Sequence, residues 1–168
     1  KIPHINIRSK KQLSMSSFQI IGGQRLHGSI TPQGAKNEAL QVICAVLLTE
    51  QAVTITNIPA ILDVLNLIKL LEYLGVKVEQ LNADTYRFTA NNIDLAILET
   101  ETFYRQSASL RGSVMLVGPL VARFGRAVIP KPGGDKIGRR RLDTHFIGIE
   151  KLGAELNFDP DNKLYRIE

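Results

Sequence analysis

One block of sequence occurs twice in this chain, and that repetition limits the folds open to it more than any other feature. Leu71-Glu72-Tyr73-Leu74-Gly75-Val76 is echoed by Ile149-Glu150-Lys151-Leu152-Gly153-Ala154, and Tyr86-Arg87 by Tyr165-Arg166 at nearly the same offset. In each copy an apolar-periodic run ends in glycine, the residue that takes a left-handed conformation at a helix end without steric cost. Agreement of element order, glycine stop and closing Tyr-Arg identifies an internal repeat.

Residues 35–48 and 62–74 carry apolar side chains at helical spacing, with Val64, Ile68 and Leu71 on one face of the second run. Short strands are expected at 18–21, 26–30 and 53–56. Val76 and Val78 then alternate with charged residues, and a polar turn at 82–84 leads to a closing strand at 86–88. In the second copy, a small-residue-rich helix over 107–121, interrupted at Gly118-Pro119, precedes a strand at 127–130. A helix over 143–152 follows, and strands at 154–158 and 164–167 flank the turn at 159–162. The reading is an α/β (α+β) chain of two β-α-β-α-β-β units, 15–90 and 91–168, after a basic leader (1–14) expected to be disordered. Helices with one apolar stripe bury it against each other. Two units leave part of that face uncovered, so the chain reads as structurally incomplete.

The 168 residues, 44% hydrophobic and 22% charged, suffice for a real core. The net charge of +5 favours an anionic partner, with its basic residues concentrated at 7–14 and 131–141. Four tyrosines, six phenylalanines and no tryptophan, none interleaved with those cations, argue against a nucleic-acid stacking platform. The single cysteine, Cys44, sits among Val42, Ile43, Val46 and Leu47 and reads as core packing in a reducing compartment. No apolar run approaches the ~20 residues needed to span a bilayer. No signal-peptide block is present, so the expected location is the cytoplasm, with no membrane partner.

Two segments carry candidate chemistry. Lys131-Pro132-Gly133-Gly134-Asp135-Lys136-Ile137-Gly138-Arg139-Arg140-Arg141-Leu142-Asp143 combines glycines, which permit close backbone approach, with arginine forks suited to phosphate oxygens. The alternative is a solvated basic loop. Gly34-Ala35-Lys36-Asn37 opens the first long helix and places Lys36 in its first turn, where the macrodipole disfavours a cation unless an anion offsets it. The alternative there is an exposed lysine reaching into solvent.

These segments, taken with Ser109-Leu110-Arg111-Gly112-Ser113, Gly118-Pro119-Leu120-Val121-Ala122-Arg123-Phe124-Gly125 and the series Arg140, Asp143, His145, resemble the UDP-N-acetylglucosamine enolpyruvyl transferases. The resemblance runs from about residue 18 to the C-terminus and implies the N-terminal portion of a longer enzyme. The fold it implies is an inverse α/β barrel, two domains of three units each, of which about two units are present here. It implies two small-molecule substrates, phosphoenolpyruvate and UDP-N-acetylglucosamine, with neither metal nor cofactor. Lys36 and Asn37 match the residues that meet phosphoenolpyruvate. Arg111, Arg140, Arg141, Leu142, Asp143 and Thr144 match those around the nucleotide-sugar, with the Asp143 carboxylate accepting from the uracil N–H. Asp135 matches the catalytic proton donor on a loop over the site. The resemblance also puts the base that takes the sugar proton in a C-terminal part outside these residues.

The chain departs from the family pattern in three places. Asp135 stands where most members carry cysteine. With a reference pKa near 3.9 it is ionised at neutral pH unless desolvation or anionic substrate raises it, while Lys136 and Arg140 act the other way. Arg141 replaces a proline, and Thr144 an apolar residue. His145 reads as structural or solvent-facing, and Arg123, Arg126 and Arg139 as solvated. Two other readings stay open: the sister enzyme that makes enolpyruvylshikimate phosphate, where a serine is expected at the position of Asn37, and a non-catalytic anion-binding fragment.

Overall fold

The computed structural model describes residues 19, 22–23, 25, 27–131, 133 and 141–168. The chain divides into two units, 1–31 and 32–168. In the first unit the described residues form no strand, contrary to the expectation for the 27–30 part of the run over 26–30. Gly28 adopts φ +142°, outside the range of an extended L-residue, and Ile30 is fully exposed, so the run has neither the backbone nor the apolar cover of a strand. The expectations for residues 1–14 and most of 18–21 lie outside the described residues.

In the second unit the repeat is visible as topology. After α1 (Lys36–Ala45), extended by a 3-10 turn over Val46–Leu48, come β1 (Val53–Ile55), α2 (Leu62–Tyr73), β2 (Lys77–Gln80) and β3 (Tyr86–Thr89). The later half runs through α4 (Val117–Phe124), β4 (Ala127–Pro130), α5 (Asp143–Lys151), β5 (Leu156–Asp159) and β6 (Leu164–Ile167). Both sheets have the first-third-second order, β1-β3-β2 and β4-β6-β5, and every pairing is antiparallel.

The matched glycines do the same work in both copies. Gly75 N–H donates to Glu72 O and Val76 N–H to Leu71 O; Gly153 N–H donates to Glu150 O and Ala154 N–H to Ile149 O. These are two Schellman caps with φ +102° and +103° at the glycines, satisfying carbonyls that a helix end otherwise leaves open.

One expected break is misplaced. The helix expected over 107–121 is three pieces: α3 (Glu101–Ser109), a 3-10 segment (Arg111–Leu116) and α4. The interruption falls at Leu110, and Gly118-Pro119 lies inside the first turn of α4. Backbone N–H groups there have no intrahelical partner, so proline costs little. The start of α3 is fixed by Thr100, whose hydroxyl accepts from Phe103 N–H, with Glu101 in the first turn.

A single apolar core runs through both repeats. Leu67, Leu71, Leu74, Phe88, Leu98, Phe103, Leu116, Leu120 and Ile129 are essentially inaccessible. Cys44 lies in this core, and burial pushes its thiol far above the ordinary range, so it is packing and not a nucleophile.

Two arginines read as solvated are structural. Arg123 Nη1 donates to Leu47 O (2.9 Å), Thr49 O (3.2 Å) and Ala90 O (2.8 Å), tying α4 to the chain after α1 and after β3. Arg126 and Arg166 both pair with Glu99, which also accepts from Tyr104 at 2.7 Å. Burial pushes the Glu99 carboxyl up, but the hydrogen bonds from Arg166 and Tyr104 and the charges of Arg166 and Arg126 outweigh it and hold the group below its ordinary value.

Candidate functional site

The N-terminal ends of α1, α2 and α5 and the 3-10 segment surround a cleft of about 370 Å³, whose walls include Lys36, Asn37, Asp63, Ser109, Arg111, Arg141, Leu142 and His145. Three sequence segments thirty or more residues apart thus bring cations to one opening. The local reasons are steric. A Cβ on Gly34 would lie 1.9 Å from Asn57 O, so only glycine allows the lead into α1 to lie against the turn between β1 and α2. Asn57 itself has φ +58°, a conformation asparagine tolerates better than most residues. On the other wall, a Cβ on Gly112 would be 3.0 Å from the Leu40 side chain, so glycine lets the 3-10 segment pack closely on α1.

Lys36 is the first residue of α1 and Asp63 the second of α2. Lys36 Nζ donates to Asp63 Oδ2 at 2.8 Å, with the two side chains 40% and 44% exposed. An anion does offset the cation in this first turn, but it is a carboxylate of the protein. At this exposure the pair adds little to stability. An ammonium has three donors, and Asp63 takes one of them.

Arg111, at the start of the 3-10 segment, is half-buried in the cleft wall. Arg141 is exposed and pairs through its Nε and Nη2 with Asp143 Oδ2. Asp143 begins α5, where a carboxylate is favoured by the helix dipole. Of the residues expected around the nucleotide-sugar, Arg111, Arg141 and Leu142 line the cleft, while Asp143 and Thr144 lie beside it without lining it. His145, expected to be structural or solvent-facing, is exposed at the cleft wall. Asp135 and Arg140 lie outside the described residues. The chain before them is anchored at Gly133, whose N–H donates to Ala108 O at 2.8 Å; a Cβ there would sit 2.4 Å from the same oxygen.

Sequence reasoning missed Asp63. It is an acidic residue in a helix first turn, which ordinarily needs no explanation beyond the dipole, and only the fold brings it to Lys36. No group of three or more potential metal ligands occurs among the described residues, and no helix there is long and apolar enough to cross a membrane.

The chain thus carries its cleft, with Lys36, Arg111 and Arg141 in its walls, at the helix N-termini of a repeated α/β unit with antiparallel sheets. The chain belongs to the EPSP synthase (3-phosphoshikimate 1-carboxyvinyltransferase) family, whose profile matches residues 20–168. Within that family it is 61% identical over 153 residues to the UDP-N-acetylglucosamine 1-carboxyvinyltransferase of Bacteroides thetaiotaomicron, a match covering 91% of this chain and 35% of the relative. It is 56% identical to the protein of the same name from Porphyromonas gingivalis, with the same coverage. The chain therefore spans about a third of the length of these relatives. Among solved structures, the enolpyruvyl transferase NikO from Streptomyces tendae superposes with a TM-score of 0.66 at 22% identity, covering 87% of this chain and 31% of that one. EPSP synthase from Acinetobacter baumannii gives 0.54 at 19% identity, covering 83% and 31%. The fold is thus that of the enolpyruvyl transferases, an inverse α/β barrel present here in part.

Proposed function

We propose that this sequence supplies the substrate-facing N-terminal portion of an enzyme that transfers the enolpyruvyl group of phosphoenolpyruvate to UDP-N-acetylglucosamine, the first committed step of peptidoglycan precursor synthesis, in the cytoplasm. The observation that carries the reading is the convergence of Lys36, Asn37, Arg111 and Arg141 on one cleft, in a chain 61% identical to proteins named for this reaction. Lys36 and Asn37 meet phosphoenolpyruvate. Arg111, Arg140, Arg141, Leu142, Asp143 and Thr144 hold the nucleotide-sugar.

The sugar hydroxyl, giving its proton to a base in the C-terminal part of the enzyme, adds to the substituted vinyl carbon while the methylene carbon gains a proton from Asp135. Return of one proton from the resulting methyl group to the Asp135 carboxylate, with departure of phosphate, restores the double bond. Cations around the phosphate stabilise charge as it leaves. Asp143 has one carboxylate oxygen engaged by Arg141, and its other oxygen is the acceptor assigned to the uracil N–H.

Calorimetric titration of the full-length protein tests the acceptor. UDP-N-acetylglucosamine is expected to bind and Asp143→Ala to weaken it. Binding of shikimate 3-phosphate with no response to the nucleotide-sugar would replace this reading with the sister enzyme.

A further inference from the structure

We infer that Asp63 is a positioning residue for the transfer: it holds the Lys36 ammonium at the cleft so that the remaining N–H donors face the incoming anion. The inference rests on the proposed role of Lys36. Four observations on this chain converge on it. Lys36 and Asp63 are 27 residues apart yet meet at 2.8 Å, and both side chains line the cleft. Both stand in the first turn of their helices, so their backbones are fixed by α1 and α2. The two helix starts are fixed to each other where Gly34 lies against Asn57 O, a contact that leaves no room for a methyl group. Finally, the pair is too exposed to be explained as a stabilising salt bridge.

Charge gives the pairing its consequence. An isolated lysine carries four rotatable bonds and a strongly hydrated ammonium, and in a helix first turn it is pushed outward by the dipole. The Asp63 carboxylate, favoured at its own helix start, reverses that tendency and restricts the side chain to one direction. A site ordered before the ligand arrives avoids the ordering cost at the moment of binding. Asp63 touches Lys36 and not the reacting atoms, so its effect passes through Lys36.

A double-mutant cycle in the full-length protein tests this, using Asp63→Ala, Lys36→Ala and the pair. Asp63→Ala is expected to lower kcat/KM for phosphoenolpyruvate by about tenfold, mid-range for residues in direct contact, with KM for UDP-N-acetylglucosamine unchanged. In the Lys36→Ala background the same change should cost less than about twofold. Asp63→Asn, which keeps an acceptor at the same place, should recover part of the loss. Fully additive losses, or equal losses for both substrates, would overturn the inference. A crystal structure of Asp63→Ala provides the readout that needs no activity. Displacement of Lys36 Nζ supports the assignment, and an unmoved Nζ overturns it even if the protein transfers nothing. Absence of transfer by the wild-type protein would instead overturn the proposed function.

Discussion

Replacing Arg123 by alanine should destabilise the second unit strongly. Its Nη1 carries two hydrogens and meets three carbonyl oxygens, so one hydrogen is shared and the count is two full charged hydrogen bonds. At about 1.5–3 kcal/mol each, they contribute roughly 3–6 kcal/mol. The side chain is 16% exposed, so water can reach part of the vacated space, and the lower end, about 3 kcal/mol, is expected. The Glu50 partner is 75% exposed and adds less than about 1 kcal/mol. Hydrogen exchange of the α4 and β3 core amides in the full-length protein reads this directly. The slowest amides should exchange on the order of 100-fold faster in Arg123→Ala and within about fivefold of wild type in Glu50→Ala. A change below threefold in Arg123→Ala would show that the carbonyls find equivalent partners and that the clamp between repeats is incidental.

Three further outcomes are expected. Glu99 is held below its ordinary pKa when folded, so its contribution is present above the unfolded value and lost as pH falls through the folded one. Urea unfolding should therefore show a stability gap between wild type and Glu99→Gln that is full above the ordinary carboxylate range and closes as pH falls below it; a constant gap would contradict the pairing. Gly34→Ala should cost about 1–3 kcal/mol by urea unfolding because its methyl meets Asn57 O, whereas Gly118→Ala, with nothing within 4 Å, should cost nothing; equal effects would refute the steric reading. Asp135→Cys should retain transfer and become sensitive to electrophilic epoxides that spare the wild type, because a thiolate is the better nucleophile; covalent labelling of the unmutated protein, or an insensitive Asp135→Cys variant, would remove Asp135 from the site.

Much of the architecture was legible because it is written in local chemistry. The periodicity of Val64, Ile68 and Leu71 gave α2, and the glycines after Leu74 and Leu152 marked helix ends that prove to be matching caps. The break at Leu110 was not legible from the Gly118-Pro119 pair, since proline in a first turn terminates nothing. Thr100 followed by Glu101 was a helix-start signal that could have located α3. The contacts of Arg123 and Asp63 could not be read in advance. Each depends on partners 27 to 76 residues away that only the packing of one repeat on the other, or of α1 beside α2, brings into reach. Lys36 was singled out by its position, but the anion that offsets it was expected to be a ligand, and in the structure the carboxylate paired with it is Asp63.

In the proposed function Lys36 and its neighbours serve enolpyruvyl transfer to a nucleotide-sugar. The most direct measurement incubates the full-length protein with phosphoenolpyruvate and UDP-N-acetylglucosamine, following phosphate release together with the mass of the sugar product. One phosphate should appear for each nucleotide-sugar that gains an enolpyruvyl group, and Lys36→Ala should abolish most of that rate without unfolding the protein. Phosphate release only with shikimate 3-phosphate, or an unchanged rate and KM for phosphoenolpyruvate in Lys36→Ala, would contradict the account.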